Sequence, residues 1–131
     1  MSRAARILCA IGCILLVITA IFHATGYSGV SDAISESNAS AFLKRAVPGL
    51  WAHFSIHLAA LAAFGVLVLF SAHGARSLIA LLALAVAADA ALVFSLAGFF
   101  VGIVLLVAAA LCFALAAVQP RHSQGSSHTI Q

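Results

Sequence analysis

The chain has 131 residues, 65% hydrophobic and 7% charged, with a net charge of +3 and a mean hydropathy of +1.22. A soluble domain is nearer half apolar and a quarter charged, and so short a chain has little core in which to hide apolar side chains. Composition excludes a water-soluble globular protein, and the small charge excess, scattered near segment ends, excludes a nucleic-acid partner.

Met1 to Arg6 carries two arginines, and an apolar run follows from Ile7 to about Thr25. No good small-x-small cleavage site follows that run. The lipobox-like Ala10-Ile11-Gly12-Cys13 comes too early for a lipoprotein signal. A first transmembrane span is expected over about residues 6–25.

Residues 26–48 are the one long polar stretch inside the chain. Ser31-Asp32 has the character of a helix start, Glu36 sits in the early turns, and Lys44-Arg45 lie towards the end. That charge order suits the helix dipole. A short surface helix is expected in this outer loop, ended by Pro48-Gly49. Asn38-Ala39-Ser40 matches a glycosylation acceptor, a triplet that is weak evidence when it stands alone.

The second span is expected over about 50–72, with Trp51 placed as an interfacial aromatic pointing away from the bundle. A tight polar turn, His73-Gly74-Ala75-Arg76, follows. From Ser77 to Val118 only Asp89, Ser95 and two glycines interrupt the apolar run. A single helix of that length would measure about 63 Å, roughly twice the hydrocarbon thickness. Two spans, about 77–96 and 98–118, fit instead. Residues 121–131 form a Ser, Gly and His-rich tail with no means of packing, expected to be disordered and cytoplasmic.

The fold class that follows is an all-α integral membrane protein. Four transmembrane helices form an antiparallel up-down-up-down bundle, a single domain over residues 1–120. Arg3, Arg6, Arg76 and Arg121 fall on one side, and Lys44 and Arg45 on the other. Positive-inside counting then places both termini in the cytoplasm of a bacterial-type inner membrane. The lipid bilayer is the first partner, with a homo-oligomer or a larger membrane complex as the next.

The stretch Trp51 to Leu58 puts His53 and His57 at i and i+4, one turn apart on one helix face. At about 1.5 Å of rise per residue, His57 lies about 6 Å deeper than His53, and Asp89 about 18 Å along the third span. That brings Asp89 level with His57, while His23 shares the outer boundary with His53. Helical phase collects Cys9, Gly12, Cys13, Leu16, Ala20 and His23 into one stripe of the first span. On the second span it collects His53, His57, Ala60, Phe64, Leu67 and Ser71, expected to face the bundle interior. Gly98 to Gly102 spells GxxxG, and Ala83, Ala87 and Ala91 repeat small residues, both suited to close helix contact in lipid.

Ionisable groups inside a membrane mark functional sites, and an Asp at a helix centre costs roughly 2.5–3.5 kcal/mol on insertion scales. His23, His53, His57 and Asp89 supply nitrogen and oxygen ligands for zinc or copper, and histidines on two helices suit haem. Cys9, Cys13 and Cys112 lie at one comparable depth and form a weaker second set, for a soft metal such as Cu(I). Three cysteines inside apolar runs also serve as small hydrophobes and imply no disulfide framework. The same His/Asp groups suit a proton relay in a proton-coupled small transporter. In a non-catalytic structural or assembly subunit they would hydrogen-bond one another and set helix register. Enzyme motifs are missing: there is no phosphate loop, no nucleotide fingerprint and no motif pairing a nucleophile with a base.

Overall fold

The computed structural model describes residues 1–71 and 75–120. Those residues form five helices: α1 (Arg3–Thr25), α2 (Tyr27–Glu36), α3 (Ala41–Phe70), α4 (Ala75–Ala97) and α5 (Val101–Val118). Four of them, α1, α3, α4 and α5, are long and apolar enough to cross a membrane. The chain is therefore a four-helix membrane bundle. The expected tail, with Arg121, His122 and His128, and His73 of the turn, lie outside the described residues.

α1 packs against both α3 and α5, α4 packs against α5, and α4 meets α3 more sparsely. Two arginines hold one end of the bundle. The Arg6 guanidinium donates to the Leu69 carbonyl at 3.4 Å, and Arg76 donates to Ala117 at 3.0 Å and to Gln119. The last carbonyls of a helix have no partner within it, and guanidinium groups satisfy them. These contacts set the starts of α1 and α4 beside the ends of α3 and α5, the up-down-up-down arrangement.

Serines start the two long N-terminal helices. Ser2 accepts from the Ala5 amide at 3.1 Å, and Ser40 accepts from the Leu43 amide at 3.4 Å. Ser40 therefore starts α3 well before Pro48, which corrects the extent of the surface helix. α2 begins and ends earlier than expected, and Pro48 lies buried inside α3 rather than closing the helix before it. An interior proline forgoes its own amide bond, at a cost of about 3 kcal/mol, so packing along this stretch outweighs local propensity. Lys44 and Arg45 consequently stand in the first turns of α3. Lys44 still neutralises the end of α2, but across the break: its ammonium donates to the Ser35 carbonyl at 2.7 Å.

The core runs through the middle of the bundle. Cys9, Cys13 and Leu16 of α1 meet Leu58 and Ala62 of α3, Ile79, Leu82 and Val86 of α4, and Leu106 and Phe113 of α5. Two glycines allow this closeness. A Cβ at Gly65 would lie 2.5 Å from the Cys13 sulfur, and one at Gly12 would lie 2.7 Å from the Phe113 ring. A side chain at either position would force Cys13 or the Phe113 ring out of place in the packed core.

The GxxxG reading is corrected by the turn between α4 and α5. Gly98 adopts φ +70°, closing α4 with its amide on the Phe94 carbonyl at 2.9 Å, so Gly98 lies in the turn while Gly102 is on α5. Of the alanine repeat, Ala83 is buried while Ala87 and Ala91 are exposed, edging an apolar groove of about 720 Å³ between α4 and α5.

Substituting Gly65→Leu is expected to destabilise the bundle by about 1–3 kcal/mol through overpacking against Cys13 and Leu82. Gly49→Ala, with open space around it on the same helix, is expected to be neutral or to stabilise by up to about 1 kcal/mol. Unfolding midpoints in detergent measure both, and equal midpoints for the two variants would refute the close approach at Gly65.

Candidate functional site

The Gly65 contact rotates α3 so that Leu58, Ala62, Gly65 and Val68 face inward. The expected interior stripe is therefore wrong for α3 by about one residue, or 100°. His53, Ala60, Phe64, Leu67 and Ser71 are exposed, and His57 is half-exposed. Choosing the inner face by polarity failed because steric fit to α1 selects the glycine side. On α1 the same procedure found Cys9, Gly12, Cys13, Leu16 and Ala20, and all five are buried.

Rotation sends His57 towards α4. Its Nε2 lies 3.1 Å from Asp89 Oδ2, a direct bond between two helices that otherwise touch sparsely. His57 stands about 20 Å from the arginine end of α3, and Asp89 about 21 Å from that end of α4, at about 1.5 Å per residue. The two groups are level, well inside the membrane-spanning segments. One proton on the imidazole, donated to Oδ2, pairs the two side chains in a medium that offers no water and leaves Oδ1 open. His53 lies one turn further towards the α2 end, its ring centroid 6.5 Å from that of His57.

His23 belongs to a different unit. Its Nδ1 pairs with Ser55 Oγ at 3.0 Å, and its ring stacks on Trp51 with centroids 4.1 Å apart and planes at 17°. The Trp51 indole N–H donates to the His23 carbonyl at 2.8 Å. Trp51 thus faces α1, which corrects the expectation that it points away. The His23 carbonyl also accepts from the Gly26 amide at 3.2 Å and takes the indole on its second lone pair, since an indole N–H needs an acceptor when half-buried. Gly26 makes room, since a Cβ there would lie 2.8 Å from the indole ring. A recess of about 450 Å³ opens beside this unit, lined by Ala24, Tyr27, Trp51, Ala52, Ser55 and Ile56.

Of the quartet, the structure brings together His57 and Asp89, with His53 a turn away and His23 held elsewhere. Using all four as ligands would require His23 to abandon Ser55 and Trp51. Among the described residues no three His, Cys, Asp or Glu side chains are grouped as a metal site. Cys9 and Cys13 are buried on the inner face of α1, where the Cys9 thiol lies 3.8 Å from the Gly65 carbonyl; Cys112 is half-buried on α5. Both buried thiols act as small packing groups at the α1–α3 contact.

Sequence reasoning missed Ser55 and the inward role of Trp51. Their shared signal was weak: Trp51 and Ser55 stand four residues apart, one turn along one face of the helix, but pairing them with His23 needs the rotation of α3. Compared with family models, with curated proteins and with solved structures, the chain matches none of them.

A double-mutant cycle on His57→Ala and Asp89→Ala is expected to show a coupling of about 0.6–1.7 kcal/mol in unfolding measurements. The His53→Ala and Asp89→Ala cycle should show none. Coupling of equal size in both cycles would contradict the pairing described.

Proposed function

We propose that this protein is a small multi-pass carrier of a bacterial-type inner membrane, in which the His57–Asp89 pair binds and releases a proton. The observation that carries this is the hydrogen bond between the pair at membrane depth, across two sparsely packed helices of the bundle. An acid and a base in contact exchange a proton with little movement, and intramembrane carboxylate–imidazole pairs suit relays. His53 stands between the pair and the α2 end, one turn along α3, where an aqueous proton would enter. Because Arg3, Arg6 and Arg76 lie on one side and Lys44 and Arg45 on the other, the termini are assigned to the cytoplasm and the α2 end to the outside. Four spans leave little room for a pathway within one copy, so the carrier works as an oligomer or inside a larger membrane complex.

A second reading keeps metal or haem binding. His53 and His57 have near-parallel rings on successive turns beside Asp89, which gives two imidazoles and a carboxylate within one region. Stoichiometric zinc or copper, or a Soret band, in the purified protein would favour it. A preparation with neither removes it.

Proteoliposomes loaded with a pH-sensitive dye and polarised by a potassium gradient with valinomycin test the carrier. The expected result is proton entry above protein-free vesicles, lost in Asp89→Asn and reduced in His53→Ala. Flux that Asp89→Asn leaves unchanged removes the relay and assigns the pair to helix register in a non-catalytic subunit.

A further inference from the structure

We infer that the outer face of α3 and α4 is a two-fold interface between copies of this chain, centred on the His57–Asp89 pair. The inference rests on the oligomeric part of the carrier reading and names the surface that makes the oligomer.

Exposure in the span is the starting point. The side chains of His57 and Asp89 retain 39% and 18% of their accessible surface, at a depth where the surroundings of a single copy are hydrocarbon. Among the described residues, Asp89 Oδ1 and the ring nitrogens of His53 make no hydrogen bond. Polar groups at this depth almost always face protein or a water-filled cavity. The exposed stripe of α3 also continues below the pair through Ala60, Phe64, Leu67 and Ser71. That stripe combines polar, small and aromatic residues in the way of a buried helix face.

Symmetry selects the occupant. Copies inserted with one topology pair about an axis along the membrane normal, and such an axis keeps every residue at its own depth. An isologous patch must carry both a donor and its acceptor. Here His57 and Asp89 are level, so the His57 imidazole of one copy meets the free carboxylate oxygen of the other without any vertical shift. Ala60, one turn below His57, allows two α3 helices to approach closely. A second copy therefore supplies the donor that Asp89 Oδ1 lacks within one copy.

Cysteine crosslinking in membranes tests the face. In a background of Cys9→Ala, Cys13→Ala and Cys112→Ala, Ala60→Cys is expected to form a disulfide-linked dimer under mild oxidation. Ile14→Cys on α1 and Leu111→Cys on α5 are controls on other faces. Adding Asp89→Leu to the Ala60→Cys chain should weaken association about tenfold, seen as loss of crosslinking at matched expression. Light scattering of the unmodified chain in detergent supplies a reading independent of the cysteine changes, expected at twice 13.4 kDa. Dimers that crosslink through Ile14→Cys or Leu111→Cys but not Ala60→Cys overturn this face while leaving the oligomer. A monomeric mass with no crosslink overturns both, and proton flux is decided by its own assay.

Discussion

The approach of α3 to α1 at Gly65 determines how the rest of this bundle is arranged. With no Cβ at that position, the backbone of α3 lies against the Cys13 sulfur, and Leu82 and Phe113 close the same point from α4 and α5. A helix pinned at one face has one rotation left to it. That rotation places Leu58, Ala62 and Val68 inside, directs His57 to Asp89, and turns His53 outward. Moving the contact by one residue would rotate the helix by about 100° and exchange these roles.

Satisfaction of polar groups supplies the second constraint. Each end of the bundle closes its own helix termini with side chains from a neighbouring helix: Arg6 and Arg76 at one end, Trp51 at the other. Thr19, buried in α1, bonds back to the Leu15 carbonyl at 2.7 Å and needs no partner from another helix. No buried side-chain nitrogen or oxygen among the described residues lacks a hydrogen bond. Asp89 Oδ1 and the His53 ring nitrogens make no hydrogen bond among the described residues, and they lie on the α3–α4 face. Their position on an outer surface, and not in the core, is what makes that face the candidate site and the candidate interface together.

Much of the fold was legible along the chain. Hydrocarbon length alone divided the run from Ser77 to Val118 into two spans, and the structure turns at Gly98 between them. Depth was equally legible, because helical rise per residue is constant: counting residues placed His57 level with Asp89, and the two are bonded. Pro48 misled because a proline ends a helix in isolation, whereas here Ser40 had already started α3 and the packed helix continued through it. Trp51 misled for a similar reason, since an aromatic at a membrane boundary serves as an interfacial anchor unless an acceptor on a neighbouring helix is within reach.

Length, hydropathy and charge placement were enough to define a membrane bundle of four helices and the level of each ionisable group. These are one-dimensional properties, set by residue count and by the transfer of side chains between water and lipid. Which way each helix face turns was decided only in the folded structure. Azimuth depends on contacts between residues far apart in sequence, such as Gly65 with Cys13 and His23 with Ser55. Periodicity shows that a helix has distinct faces, but steric fit between helices selects the one that turns inward.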